Sequence, residues 1–534
     1  MSASTRLKAM LLLVVCLVLP WTALAQERGE EPRRGGTYRR PLGNNPVTLD
    51  PNRAGDIYGR TVSNQIFDGL VQFDGSLAIR PAIAESWTAS RDNLTWTFRL
   101  KKNVKFHNGR EVTADDVVFT FTRIIDPETA SPAAPYFLKI KGAQEYASHR
   151  TTRIEGLKVL DKYTIQIQLT ESQVPFVQLL AIAWAKIVPR EGIERLKDHF
   201  SIRPIGTGAF KIAEWIPNER IVLEANPEYF EGRPYLDRVE YQIFLGDDFV
   251  EMLRAFEQGH TEDSPLPAKE RSRLLDDNRY RFIQRPILGL AFLGINTTKK
   301  PLDDPHLRQA INYAIDRRQI MRDIYKNQYI PCGGILPPGT YGYTPKMTGY
   351  PYDPLRASAL LTSAGYPGGK GLPIIQIWSA RKNEEAVAEH NAIVNYLAAV
   401  GIRAEVEYNT NWPQYKSEVY SRKLPVFRYS WYADAPDPDT FLGLFDSKGP
   451  DNLTAFRNDA VDALLRRARD EREMRRKLEL YQDIERQVME SAPVVALSYS
   501  TYERLFKKDV KGIQVSALGD PYIPMKKIWL GTAK

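Results

Sequence analysis

The sequence predicts an α/β protein with at least two lobes, and three observations support this prediction. The chain has 534 residues, more than one hydrophobic core usually holds. Helical and strand-like apolar spacings alternate between residues 300 and 430, a rhythm typical of an α/β lobe. Hydrophobic residues make up 43% and charged residues 26%, which is ordinary for a soluble globular protein. We find no internal repeat, so a structural or adhesive array is disfavoured.

The first 25 residues have the pattern of an export signal. Arg6 and Lys8 precede an apolar run over residues 10–19 that is too short to span a bilayer, and Ala23 and Ala25 supply small residues at a cleavage site. Cys16 raises the alternative of a lipoprotein, but the preceding Val15 is bulky where a lipoprotein signal has a small residue, and apolar sequence follows Cys16. We therefore expect residues 1–25 to be a signal peptide, cleaved after Ala25, and the protein to be periplasmic.

Charge and motif content exclude several classes of function. The formal net charge is +8, and the densest basic run, residues 466–477, is interleaved with acids as on a solvated helix face. We therefore expect no nucleic-acid partner. Beyond the signal peptide Cys332 is the only cysteine, the six histidines are scattered, and H-E-x-x-H and G-x-S-x-G are absent. We expect no metal, no cofactor and no catalysis, with an exported enzyme as the weaker alternative.

The first third of the chain combines alternating strands with capped helices. Residues 56–70 have helical spacing, whereas residues 94–100 alternate as a half-buried strand. Thr113 and Asp116 resemble a capping box that starts a helix over residues 114–124. His107 lies in the turn between these elements. Because no other metal-ligand residue has suitable spacing, we interpret it as a structural hydrogen-bonding residue.

Two glycine-rich stretches look superficially like nucleotide-binding loops. Gly206 and Gly208 begin a dinucleotide pattern, but Lys211 occupies the third glycine position and no helical pattern follows. Alternation on both sides of Pro217 and Asn218 instead predicts a hairpin, with the glycines in a tight turn beside a cleft. The second stretch, residues 365–371, departs from a phosphate loop because Gly, rather than Ser or Thr, follows its lysine.

The second half of the chain begins with an apolar strand over residues 288–296. Asp304-Pro305 and Asp353-Pro354 each have the pattern of an N-cap followed by proline at the first helical position. A helical region over residues 459–489 and a strand over residues 494–499 follow. From residue 510 the pattern is short and irregular, as expected for a return to the first lobe.

Residues 431–442, WYADAPDPDTFL, contain the most distinctive loop of the sequence. Pro436 and Pro438 fix the backbone, and Asp437 with Pro438 resembles a helix N-cap, so that Phe441 and Leu442 would face a core. Asp434 then lies on a rigid loop beside aromatic residues. Such a carboxylate suits a ligand ammonium group, although a solvated loop acid is the simpler alternative.

Three segments resemble the family 5 extracytoplasmic solute-binding proteins, which include the dipeptide- and oligopeptide-binding proteins of ABC importers. They are WYADAPDPDTFL, residues 84–123 (AESWTASRDNLTWTFRLKKNVKFHNGREVTADDVVFTFTR) and residues 204–229 (PIGTGAFKIAEWIPNERIVLEANPEY). The resemblance implies a two-lobed periplasmic-binding-protein fold, type II and similar to cluster C, with an extra subdomain in the first lobe. It divides the chain into lobe I (26–67 and 188–286), the extra subdomain (68–187), lobe II (287–507) and a return to lobe I (508–534).

The resemblance also implies a function and a site. The protein would bind a solute, most simply a peptide, between two closing lobes and deliver it as a monomer to an inner-membrane ABC permease and ATPase complex. A nickel chelate, haem, an opine or an oligosaccharide are alternative ligands. Asp434 would anchor a peptide α-ammonium, and Arg381 would meet a ligand carboxylate. The other candidate cleft residues, of which the aromatic ones could equally belong to the core, are Trp431, Tyr432, Tyr429, Asn296, Phe427, Trp412 and Thr297.

Overall fold

The computed structural model describes residues 30–171, 176–471 and 473–532. The expected signal peptide, residues 1–25, lies outside the described residues. Within the described ranges, no helix combines the length and the apolar character needed to cross a bilayer.

The first half of the described chain contains eleven strands and eight helices. They are β1 (Thr37–Leu42), α1 (Ile57–Ile66), β2 (Val71–Phe73), β3 (Ile79–Pro81), β4 (Ala84–Ala89), β5 (Thr95–Leu100), α2 (Ala114–Ile125), α3 (Ala134–Phe137), α4 (Ala143–Ala147), β6 (Leu157–Asp161), β7 (Thr164–Gln168), α5 (Phe176–Leu179), α6 (Arg190–Leu196), β8 (Phe210–Ile216), β9 (Arg220–Ala225), β10 (Arg238–Ile243), α7 (Phe249–Glu257), β11 (Asp263–Pro265) and α8 (Arg271–Leu274).

The second half of the described chain contains eight strands and eight helices. They are β12 (Tyr280–Ile295), α9 (Pro305–Ala314), α10 (Arg317–Asp323), β13 (Ile330–Pro331), α11 (Pro354–Ser363), β14 (Ile375–Ser379), α12 (Glu384–Ala399), β15 (Ala404–Tyr408), α13 (Trp412–Tyr420), β16 (Val426–Tyr432), α14 (Asp439–Leu442), α15 (Asp459–Asp470), α16 (Met474–Ser491), β17 (Val494–Lys507), β18 (Val510–Lys511) and β19 (Trp529–Leu530).

A four-stranded sheet in the order β1-β10-β9-β8 contains the hairpin that the sequence predicts. β8 and β9 are antiparallel on either side of residues 217–219. Gly206 and Gly208 lie just before β8, against the end of α1. A Cβ atom on Gly206 would lie 2.0 Å from the carbonyl oxygen of Ile66. These glycines therefore allow two segments of backbone to approach closely, and the prediction of a turn is confirmed.

A second four-stranded sheet, β4-β5-β7-β6, packs with α2. The backbone N–H of Thr113 donates to the Asp116 carboxylate at 2.9 Å, which confirms the predicted capping box. His107 joins this region to the first sheet. Its Nε2 donates to the carbonyl of Gly208 at 3.1 Å, and its Nδ1 accepts from the N–H of Gly206 at 3.3 Å. The interpretation of His107 as a structural hydrogen-bonding residue is confirmed.

Two long antiparallel strands, β12 and β17, run through the seven-stranded sheet. The first half of β12, residues 280–286, pairs with the second half of β17 beside β11. The second half of β12 pairs with both β17 and β16. The ladder between β12 and β17 shifts register between Pro286 and Leu290. Both strands are longer than the sequence predicts, because each continues from one half of the molecule into the other.

The buried side chains group into separate hydrophobic clusters. Most of those between Leu70 and Ile187 form one cluster, and those of β1, α1 and β8–β10 form another. Two further clusters lie on β12 to β17 and their helices. We propose domain boundaries at 67/68, 187/188, 286/287 and 507/508, and this grouping supports the first three. At the end of β17, Tyr502 and Phe506 already belong to the cluster of β1, α1 and β8–β10, so the clusters place the return to lobe I before residue 507.

The loop after β16 has the rigid form that its prolines predict. Tyr432 pairs with Gly289, and the N–H of Ala433 donates to the carbonyl of Leu288 at 2.9 Å. Helix α14 starts one residue later than predicted, with Pro438 at the N-cap position. Asp437 still caps it, because its Oδ1 accepts from the Asp439 N–H at 2.9 Å.

Candidate functional site

A cavity of about 450 Å³ lies between α1, the end of β16 and the middle of β17, where β12 shifts register. We call it the hinge cavity. This volume falls in the range of small-molecule sites. Its polar wall includes Tyr58, Arg60, Asp247, Tyr432, Asp434 and Arg504.

Asp434 faces this cavity with one carboxylate oxygen engaged. Its Oδ1 accepts from Nη1 of Arg60 at 2.6 Å, and the two side chains are only 18% and 16% exposed. Within the described part of the chain, the other oxygen, Oδ2, has no hydrogen bond. Burial raises the pKa of Asp434, and Arg60 lowers it in part. The carboxylate therefore has one oxygen held in place and one available to a ligand.

Arg60 is itself fixed from several directions. Its helix, α1, is capped by Asp56, whose side chain accepts from the N–H of Gly59. The Arg60 Nε donates to the Asp56 carbonyl at 3.3 Å, and its guanidinium lies 5.0 Å from the ring centroid of Trp184. Because these contacts restrict the guanidinium, Arg60 is a positioning residue for Asp434.

The remaining charges leave the hinge cavity slightly acidic. Four carboxylates and three guanidinium groups line it, and Arg40 and Arg504 are already paired with Asp520 and Asp263. Asp247 accepts from the Tyr58 hydroxyl at 2.6 Å and has no salt bridge to any described base. Burial raises the pKa of Asp247, while Tyr58 and Arg381 lower it. An acidic cavity with an unpaired carboxylate favours a cationic ligand group.

A second cavity of about 430 Å³, here the side cavity, lies on the other side of the loop 431–437. Its wall includes Tyr136, Trp431, Asp437, Arg469, Lys477 and Tyr481. Successive residues of a strand face opposite sides, which places Trp431 in the side cavity and Tyr432 in the hinge cavity. The Trp431 indole donates to the Thr440 carbonyl at 2.9 Å, so its ring is fixed.

The structure brings only some of the predicted site residues to a cavity. Asp434 and Tyr432 line the hinge cavity and Trp431 the side cavity, whereas Arg381 is an exposed residue within electrostatic reach of Asp247. The remaining predicted positions whose side chains the structure describes line neither of these two cavities: Tyr429, Asn296, Phe427 and Thr297.

Tyr429 and Asn296 line neither the hinge cavity nor the side cavity. Tyr429 is 6% exposed and packs against Phe292 and Phe427. Asn296 is 1% exposed, and its side-chain amide donates to the Arg422 carbonyl at 2.8 Å. Phe427 is also buried, and the hydroxyl of Thr297 donates to backbone carbonyls. The side chain of Trp412 lies outside the described part of the structure.

The sequence reasoning missed Arg60, Asp247 and Lys477. Arg60 is 374 positions from Asp434. No local pattern distinguishes these residues from the exposed charged residues of the same segments, so only the tertiary structure identifies them.

Metal and thiol chemistry find no support in the described residues. Among them, no group of three or more His, Cys, Asp and Glu side chains is arranged to hold a metal ion. Cys332 is a free cysteine, and burial raises its pKa well above the ordinary value. Its thiol is therefore a poor nucleophile at neutral pH.

Comparison with known proteins places these features in a family. The family model described as bacterial extracellular solute-binding proteins, family 5 Middle, matches residues 78–452. Heme-binding protein A of Haemophilus influenzae is 30% identical over 507 residues, with 90% of each chain covered. The dipeptide-binding protein of Escherichia coli is 29% identical, covering 85% of this chain and 87% of that protein.

Solved structures agree with this result. DppA from Helicobacter pylori, in complex with the peptide STSA, has a TM-score of 0.80 and 27% identity, covering 94% of this chain and 99% of its own. The murein tripeptide binding protein MppA of Escherichia coli has a TM-score of 0.82 and 26% identity over the same shares. The unliganded open form of MppA has a TM-score of 0.76, with 26% identity and shares of 93% and 98%. The two-lobed α/β fold of type II is confirmed by these neighbours. The chain is therefore a member of the family 5 bacterial extracellular solute-binding proteins.

Proposed function

We propose that this protein captures a peptide with a free α-ammonium group in the periplasm and delivers it to an ABC permease and ATPase complex. The protein acts as a monomer and releases its ligand unchanged. Its signal peptide is removed after Ala25. Relatives named as dipeptide- and di/tripeptide-binding proteins, at 29% and 28% identity, support the peptide ligand.

The observation that carries the proposal is the half-engaged carboxylate of Asp434. Arg60 holds Oδ1 at 2.6 Å, while Oδ2 has no hydrogen bond to any residue in the described ranges. An ionised carboxylate accepts several hydrogen bonds, so an ammonium group can bind without displacing Arg60. A charge-assisted contact of this kind contributes about 1.5–3 kcal/mol.

The charge of the hinge cavity supports the same orientation. Asp247 is a second carboxylate without a basic partner among the described residues, and it faces the cavity from lobe I. The ammonium end of a peptide would therefore lie between acids of both lobes. Backbone pairing of the peptide with strand edges would add affinity with little side-chain preference.

Ligand identification tests the proposal directly. Protein purified from the extracytoplasmic fraction is denatured, and the released ligand is identified by mass spectrometry. We expect one or more peptides. Calorimetry then compares trialanine with N-acetyl-trialanine, and we expect clear binding of the free-amine form only.

Two results would contradict the proposal. Release of haem, with tight binding of added haemin, would favour the function named for the Haemophilus influenzae relative. Conversion of a bound peptide into product during long incubation would favour an enzyme. At a hundredfold excess over Kd, a true ligand stabilises the folded protein by about 2.7 kcal/mol, which thermal-shift measurements detect.

A further inference from the structure

The side cavity contains a buried cation without a bonded partner. Lys477, on α16, is 4% exposed and lines this cavity. Its Nζ makes no hydrogen bond or salt bridge with the residues that the structure describes, and lies 5.8 Å from the ring centroid of Tyr481. Arg469 on the same wall differs, because it contacts Asp439 at 3.1 Å and Asp446 at 2.6 Å. Among the described residues, no carboxylate contacts the Lys477 ammonium group.

A carboxylate on the same wall is also only half engaged. Oδ1 of Asp437 caps α14, and Oδ2 has no hydrogen bond within the described ranges. Burial and the neighbouring Asp439 raise the pKa of Asp437 to about 6, and Lys477 lowers it in part. The two charges therefore influence each other within the side cavity, but no salt bridge joins them in the described structure.

The unbonded ammonium of Lys477 and the unbonded carboxylate oxygen of Asp437 together define which ligand group fits the side cavity. A group that fills it must accept a hydrogen bond from Lys477 and donate one to Asp437. A buried charge that lacks such a partner costs free energy, so a dipolar group that satisfies both is favoured over an apolar one. A group with a single charge would satisfy one side and face a like charge on the other.

The side cavity lies next to the carboxylate that binds the ligand ammonium in our proposal. Tyr136 lines the side cavity, and burial followed by the charges of Asp434 and Asp451 raises its pKa. The Tyr136 ring also stacks on Trp184, 6.5 Å between centroids, and Trp184 supports Arg60. The loop 431–437 lines both cavities, with Asp434 in the hinge cavity and the next residue, Ala435, in the side cavity, so a ligand held at Asp434 can extend past the loop toward Tyr136.

We propose that the side cavity is a specificity pocket for a dipolar ligand side chain, in which Lys477 donates to an acceptor oxygen and Asp437 accepts from a donor nitrogen. The carboxamide of glutamine or asparagine has this chemistry on one carbon. This inference rests on the proposed function, because it needs a peptide anchored at Asp434.

Calorimetry with matched tripeptides tests the pocket. Gln, Glu, Lys or Leu is placed at the first or second position, with alanine elsewhere and a free N-terminus. At one of the two positions, we expect the Gln peptide to bind the wild-type protein about tenfold more tightly than the other three. This factor corresponds to one good buried hydrogen-bonded group.

Two variants change which of the four peptides binds most tightly, each in favour of a different charge. Lys477→Met leaves Asp437 alone, so the Lys peptide becomes the best ligand. Asp437→Asn leaves Lys477 alone and keeps the oxygen that caps α14, so the Glu peptide becomes the best ligand. Arg476→Met, next to Lys477 with a side chain 74% exposed, is the matched control and keeps the wild-type order.

The outcomes separate this inference from the proposed function. Peptide binding with one unchanged order of preference in wild type and both variants overturns the specificity pocket and leaves the ammonium anchor intact. Absence of binding by every free-amine peptide overturns both. If Lys477→Met does not fold, as judged by circular dichroism, the Asp437→Asn arm decides: a Gln preference that persists there refutes the assignment.

Discussion

Replacing Asp434 by Asn tests whether this carboxylate binds the ligand ammonium group. The substitution keeps the shape of the side chain and removes its charge, which leaves Arg60 without its ion-pair partner and the ligand ammonium with Asp247 as its remaining carboxylate. The direct contact contributes about 1.5–3 kcal/mol, because both partners are charged and only 18% of the Asp434 side chain is exposed. We expect Kd for trialanine to rise about thirtyfold, equivalent to about 2 kcal/mol.

Two companion measurements use an acetylated peptide and a variant of Arg60. N-acetyl-trialanine lacks the ammonium group, so it should bind weakly to wild type and change little in Asp434→Asn. Arg60→Gln should lower the free energy of unfolding by about 1–2 kcal/mol, since it leaves Asp434 part-buried and unpaired. The same variant should bind trialanine at least as well as wild type, because the ligand ammonium is then the only cation in contact with Asp434. Asp304→Asn, at the exposed cap of α9, is the control for a loss of charge elsewhere. Equal trialanine affinities for wild type and Asp434→Asn would refute the anchor.

Three further predictions concern pH, packing and export. Burial lowers the pKa of His107 from 6.5 to about 4, so as pH falls between these values the unfolded chain takes up a proton first and folding loses about 3 kcal/mol. His107→Gln should remove that loss in denaturant titrations at pH 7 and pH 4, whereas replacing the exposed His306 should not. Gly206→Ala should lower the unfolding free energy by about 3 kcal/mol, because its methyl group meets a backbone carbonyl, while Gly75→Ala, with open space around it, should have little effect in the same assay. N-terminal sequencing of the periplasmic protein should begin at Gln26, and a lipid-modified cysteine at the mature terminus would contradict cleavage there.

Sequence patterns predicted the structure correctly where interactions between neighbouring residues determine it. Asp304-Pro305 and Asp353-Pro354 start helices as predicted, because a side-chain cap and a fixed φ act within three residues. The hairpin of β8 and β9 follows in the same way from alternation and a short turn. The lengths of β12 and β17 were underestimated, since the segments that pair in lobe I carry charged and polar residues and lack the apolar run of their other halves.

The site was predicted only in part, because it depends on distant contacts. Alternation along β16 separates Trp431 from Tyr432, but it does not reveal that the cavities lie at the end of the strand. Tyr429, two residues before Trp431 on the same face, is therefore covered by the core. The partner of Asp434 could not be predicted either, since α1 reaches the loop only through the folding of both lobes.

The register shift in the β12–β17 ladder has a mechanical consequence. Residues 287–289 form no ladder pair with β17, and a second register shift follows between Ala291 and Phe292. We therefore expect relative rotation of the lobes to concentrate where the β12–β17 ladder is interrupted. Ile287 and Leu288 border the hinge cavity, so a ligand group there lies near the axis and gains little leverage on the lobes. The ammonium end of a ligand would thus be held close to the point about which the two lobes rotate, so its affinity could change with little effect on lobe closure.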